Sequence, residues 1–182
     1  MTTVLWRNLE RDGLDRCTLD AGPEGTRLAG TVLTVEEGRP VEVRYLVEAD
    51  EAGCTRLVEV RELRGGTERR LRLAADGRGG WTVSGRPAPE LDGCLDVDLG
   101  NTPATNTLPI RRLGLAPGQA ADVLVARVRF PMLGVEPSRQ RYECVEAGRY
   151  RFVLGGHQAM LHLGPGGLVL TREGGWQALA TG

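Results

Sequence analysis

Between Leu91 and Leu115 the chain carries its densest run of groups able to do chemistry: Asp92, Asp96 and Asp98, then Asn101, Thr102, Thr105, Asn106 and Thr107, then Arg111 and Arg112. Leu95, Val97 and Leu99 alternate with Asp96 and Asp98, the period of a half-buried strand that sets both carboxylates on one face. Carboxyls so placed fit three chemistries: an acid and base pair for sugar or ester hydrolysis, an oxygen-rich metal site with Asp92, or an ion-pair network with Arg111 and Arg112 a short loop away. The network is the simplest. Neighbouring guanidinium groups would hold both carboxylates ionised, whereas hydrolysis needs one of them to keep a proton. A fourth role is to read the polar group of a ligand, with Asp96, Asp98, Thr105, Asn106, Arg111 and Arg112 as the contacts. The threonines and asparagines serve equally well as turn and cap residues, because their short side chains bond nearby backbone.

Other chemistries leave no trace. His157 and His162, the two histidines, are five apart around a strand start and fall on opposite faces, so they form no metal pair. No Gly-rich run has phosphate- or dinucleotide-binding spacing, no Ser sits in a nucleophile elbow, and no Cys has a His at motif distance. No cofactor and no metal is expected. Cys17, Cys54, Cys94 and Cys144 are far apart and lack CxxC pairing, which predicts buried free thiols. A net charge of −1 and a pI near 6.2 exclude a typical nucleic-acid binder. Every basic residue is Arg, so arginine content by itself carries little information. The first ten residues lack an apolar signal core and no later run approaches a membrane span, which predicts a cytoplasmic protein.

The elements that must position these groups are mostly strands. Thr31 to Val35, the turn Glu36 to Arg39, and the alternation of Val41, Val43, Tyr45 and Val47 with Glu42 and Arg44 predict a hairpin. Strands are predicted again at 54–64, 69–73, 81–84, 121–130, 140–145, 149–154, 158–163 and 168–172, and at Cys17 to Leu19 near the start. Glycine- and proline-rich joints separate them; 26 Gly and 10 Pro fall largely there, so they punctuate strands and do not signal disorder. One short helix is predicted from about Asn106, with an Asn or Thr cap, Pro109 in the first turn and Gly114 as its stop. The 182 residues suit one domain, 1–182: a mainly β chain, a long antiparallel meander curled as a β-roll or half-barrel around one short helix.

The run DGCLDVDL, then TP, then TNTLPIRRL, resembles the signature of the bacterial "putative glycolipid-binding" domain family. Trp6, the Val43 to Tyr45 strand followed by Asp50, Gly80-Trp81 and Gln140-Arg141-Tyr142 extend the similarity over almost the whole chain. The resemblance implies a spiral β-roll, a sheet wound around one helix, and a dimer. Two positions depart from the family pattern: Ala104 stands where an aromatic residue is expected and Cys54 where Trp is expected, each removing bulky apolar surface. Tyr142, in the Gln-Arg-Tyr triplet, joins the candidate ligand contacts. The leading expectation is a non-enzymatic binding or carrier protein for an amphiphile such as a glycolipid. The alternatives are a homodimeric structural protein without small ligand, and a sugar or ester hydrolase using Asp96 and Asp98. For the dimer, Val123, Val125 and Pro131-Met132-Leu133 are the expected contact surface, with Arg127 and Arg129 at its rim.

Overall fold

Inward aliphatic residues alternating with outward charged ones run along nearly every strand, and a single sheet results because each strand can bury only that one face. The computed structural model describes residues 1–182. The first half contains β1 (Thr2–Asn8), β2 (Gly13–Gly22), β3 (Gly25–Glu36), β4 (Arg39–Ala49), β5 (Thr55–Arg64) and β6 (Thr67–Ala75). Two short strands, β7 (Trp81–Val83) and β8 (Arg86–Pro87), precede the central segment, which holds β9 (Asp96–Leu99) and α1 (Thr107–Leu113). The second half contains β10 (Ala120–Arg129), β11 (Gly134–Glu146), β12 (Arg149–Leu154), β13 (His157–Leu163), β14 (Val169–Arg172) and β15 (Trp176–Thr181).

These form one 15-stranded sheet in which sequence neighbours pair antiparallel, as the meander expectation requires. Two pairings depart from a simple meander. β1 pairs with β15, so the two ends of the chain meet in the middle of the sheet, and β9 lies parallel to β10. The free edges are therefore β8 and β9, both from mid-chain. The curl brings the β9 edge against the start of β5: the Thr55 amide donates to the Leu95 carbonyl at 2.9 Å. This is the predicted β-roll around one helix.

The central segment fills the inside of the curl and divides it. One apolar cluster gathers the inner faces of β1–β6 with Val97, Leu99, Ala104, Leu108, Ala126 and Val128; the other joins Ile110 to Val123, Val125, Tyr142, Cys144, Tyr150, Phe152, Leu161 and Val169. Because β9 and α1 together reach both clusters, they act as a wedge, and β10 buries Val125 and Ala126 in succession as it passes from one cluster to the other. Trp6, fully buried, ties the layers: its indole Nε1 donates to the carbonyls of Val169 and Leu170, each at 3.1 Å.

Three sequence expectations change. The start of the chain is not merely a strand at Cys17 to Leu19 but two full strands, β1 and β2. The helix stops at Gly114 in the left-handed conformation, as expected, but no side chain caps its start, because a 3-10 turn over Ala104–Asn106 runs directly into it. Val123 and Val125 are buried inside the monomer, and so is Leu133, which leaves Met132 as the exposed apolar member of the expected dimer surface. The cysteine expectation holds, since all four are buried and free.

Candidate functional site

Asp96 and Asp98 do share a face of β9, but both are buried and each has its own partners. Arg112 grips Asp96 with two bonds, Nη2 to Oδ2 at 2.5 Å and Nε to Oδ1 at 3.2 Å, tying the last turn of α1 to the sheet edge. Arg111, expected to make a matching pair, turns the other way and donates to the Gly166 carbonyl. Asp98 is instead held by Gln140, whose Nε2 donates to Oδ2 at 2.7 Å, and by Arg127 at 3.5 Å. Arg127, expected at a dimer rim, is thus a partner of the buried carboxylate within the monomer. Gln140 accepts from the Tyr142 hydroxyl at 3.0 Å, and that hydroxyl accepts from Asn106 Nδ2 at 2.8 Å. A single chain of bonds therefore runs from the start of α1 through Asn106, Tyr142 and Gln140 to Asp98.

Thr105 and Thr107 serve backbone: Thr105 Oγ1 accepts from the Leu99 amide at 3.2 Å and Thr107 Oγ1 from the Val169 amide at 3.3 Å. Of the sequence-selected residues the structure brings Asp96 to Arg112, and Asp98 to Asn106 and Tyr142; Arg111 stands apart. Burial pushes both aspartate carboxyls upward, against the lowering by Arg112 on Asp96 and by Arg127, Arg172 and Gln140 on Asp98. The expectation that arginines alone set these groups is corrected: desolvation outweighs them. No three His, Cys, Asp or Glu side chains converge, so Asp92 does not complete a metal-ligand set with the other two.

A second buried polar cluster carried no sequence motif. Asp15, fully buried on β2, accepts from the Tyr45 hydroxyl at 3.0 and 3.2 Å and from Thr102 Oγ1 at 2.5 Å. Tyr45 belongs to β4, so its ring must cross β3 to reach β2. It does so over Gly30, its cross-strand partner, where any Cβ would stand 2.3 Å from the ring. Burial raises the Asp15 carboxyl to about 7 from an ordinary 3.8, opposed by the Thr102 and Tyr45 hydroxyls. Its one sequence signal was a charged residue at an inward position of β2, visible only once β2 is known to be a strand.

The concavities of the surface include three of about 500 to 800 Å³. One of about 500 Å³ is almost wholly polar, lined by Asp20, Glu24, Arg27, Glu48, Asp50 and Arg56 among others. A second, of about 600 Å³, wraps the β1–β2 connection over 7–14. The third, of about 800 Å³, lies across β4, β5 and β6. Leu46 is its one outward apolar side chain, since Tyr45, Val60 and Leu71 border it with their side chains buried in the core; Arg44, Arg61, Arg70, Arg72 and Glu59 surround it and the Ser84-Gly85 turn lies at one end. None of the three adjoins the Asp96 and Asp98 network.

Sheet, wedge and buried polar frame together define a curled β-roll that holds β9 and α1 on its inside. A family model described as "Putative glycolipid-binding" matches residues 3–178, and the chain belongs to that family. It is also similar to a DUF1089 family protein from Pseudomonas aeruginosa of known crystal structure, with 32% sequence identity, a TM-score of 0.82, and coverage of 91% of this chain and 92% of that one. No functionally curated protein matches. No helix is long and apolar enough to cross a membrane.

Proposed function

We propose that this chain is a non-enzymatic binding or carrier protein for an amphiphilic ligand, a glycolipid being the type its family description names. The observation that carries this reading is the 800 Å³ groove across the outer face of β4–β6, whose size suits a small amphiphile and whose lining sets the half-buried Leu46 among charged groups and the Ser84 hydroxyl. The network around Asp96, Asp98, Asn106, Arg112 and Tyr142 supports a different role, holding α1 inside the curl, since its members are buried and bonded to one another. It offers a hydrolase little, because both carboxyls are buried and already bonded to partners within the chain. Native mass spectrometry with octyl glucoside and short-chain diacyl lipids tests the carrier reading. Bound adducts are expected, and Leu46→Asp should weaken them. Bare protein throughout, with no binding of fluorescent fatty-acyl probes at micromolar concentration, would end it.

A specific feature favours homodimerisation as a second reading. Leu14 and Leu33 stand directly opposite each other on the outer face of β2 and β3, with Leu63 two strands further along the same row and Val35 nearby, all exposed. Pairing two copies would cover this patch, replacing the Val123 and Val125 surface expected from sequence. Light scattering that returns the 19.7 kDa monomer at all micromolar concentrations would exclude it.

A further inference from the structure

The strand register places arginines where a sheet ordinarily avoids them. Arg44 on β4 is directly opposite Arg61 on β5, and Arg61 is directly opposite Arg70 on β6, so three guanidinium groups stand side by side across three strands. Arg72 follows two residues along the same face of β6. Like charges directly opposite one another destabilise a sheet pair, and here the repulsion is repeated. Glu68, which Arg61 and Arg70 share, and Glu42, which contacts Arg44 at 2.6 Å, offset part of it from outside the groove. Among the groove-lining residues themselves there are four arginines and one carboxylate, Glu59. The other two concavities show no such excess, pairing Arg27 and Arg56 with four carboxylates in one, and Arg7 and Arg11 with Glu10 and Asp12 in the other. The existing ion pairs are solvent-exposed and individually weak, so a ligand anion can displace them at small cost.

We propose that the groove across β4–β6 is selective for an anionic amphiphile: Arg44, Arg61 and Arg70 hold a phosphate, sulfate or carboxylate head, and Leu46 lies against the first part of the tail. Planar guanidinium forks pair with such oxygens two bonds at a time, which a neutral sugar head cannot reproduce. This rests on the carrier reading above and narrows its ligand class. Glu59 opposes the anion and sets a limit on affinity.

Calorimetric titration of the full chain with four monomeric probes tests it: dihexanoyl phosphatidylglycerol, dihexanoyl phosphatidylcholine, octyl glucoside and inorganic phosphate. Phosphatidylglycerol is expected to bind at least about tenfold more tightly than the two uncharged-head or zwitterionic amphiphiles, with affinity falling as salt is raised. Arg44→Gln, Arg61→Gln and Arg70→Gln should each weaken it about fivefold, and Glu59→Gln should strengthen it. All four positions are exposed, and unchanged thermal unfolding will verify that the variants fold. Equal affinity for octyl glucoside and phosphatidylglycerol, indifferent to these variants, would overturn anion selectivity and leave the carrier reading standing. Phosphate binding as tightly as the lipid would keep the anion site and overturn the amphiphile. Failure of all four probes would overturn both.

Discussion

Asp15 makes the sharpest test of the interior. Burial raises its carboxyl to about 7, whereas in the unfolded chain it titrates near the ordinary 3.8. Between those values the folded protein holds a proton that the unfolded chain has released, so this residue's contribution is fully present below about 3.8 and is lost as pH rises towards 7 and beyond. Integrated between about pH 5 and about pH 8, the loss is about 2–3 kcal/mol. For a chain of this size that corresponds to a shift of roughly 5–10 °C in Tm. Asp15→Asn keeps the size and hydrogen-bonding capacity of the protonated acid but does not titrate. Asp96, Asp98 and Glu62, also pushed up by burial, slope in the same direction and cancel when the variant is subtracted from the parent. Urea unfolding of both proteins at the two pH values gives the double difference directly. The Asp15→Asn variant should gain on the parent by about 2–3 kcal/mol from the lower pH to the higher. Parallel pH profiles would refute the account, and with it the claim that the Tyr45, Thr102 and Asp15 cluster stays dry.

Three further outcomes follow from the same geometry. Arg112→Ala strands the Asp96 carboxylate in the interior and should cost about 3–5 kcal/mol at neutral pH, with a smaller loss in acid where Asp96 can take a proton; chemical denaturation across pH reads both. Gly30→Ala places a methyl against the Tyr45 ring and should destabilise by about 1–3 kcal/mol, with exchange of the β3 and β4 amides accelerated in hydrogen-exchange measurements. The four thiols are buried, and desolvation pushes Cys17 up to about 12 and Cys94 up to about 11, so a disulfide thiol reagent at neutral pH should label none until the chain is unfolded. Prompt labelling of any one of them in the native protein would show that the interior opens.

Strands were legible wherever the alternation was uninterrupted, as in Val41 to Val47, because one face is buried and the other is wet. Thr2 to Asn8 escaped notice because its alternation is short and Leu5, an aliphatic residue, faces outward between Val4 and Trp6. The Asp96 and Arg112 pair was readable from proximity along the chain. Its counterpart was not: Asp98 is held by Gln140 and Arg127, which arrive through strand pairings that no local pattern encodes. Tyr45 is 30 residues from Asp15 and 57 from Thr102 in sequence, and the three meet only because the Tyr45 ring crosses β3 over a glycine. The arginine row is hidden for the same reason, since its cause is register, and arginine is also this chain's sole basic residue type apart from its two histidines.

That register matters because of what occupies the inside of the curl. A sheet closed around a lumen can hold a ligand within, but here β9 and α1 pass through that space and supply side chains to both apolar clusters. Their polar residues do not face an opening. Apart from the exposed Arg111, they are spent on partners within the chain, Arg112 on Asp96, Asn106 on Tyr142, Thr105 and Thr107 on backbone amides. An interior bonded in this way resists the rearrangement that admitting an acyl chain would require, because every displaced partner would be left unpaired away from water. An amphiphile of the kind proposed above would therefore meet the outer face, where the side chains and their ion pairs are exposed. The dense polar stretch from Leu91 to Leu115 accordingly bonds together the inside of the curl, while the register of β4–β6 aligns the arginines outside it.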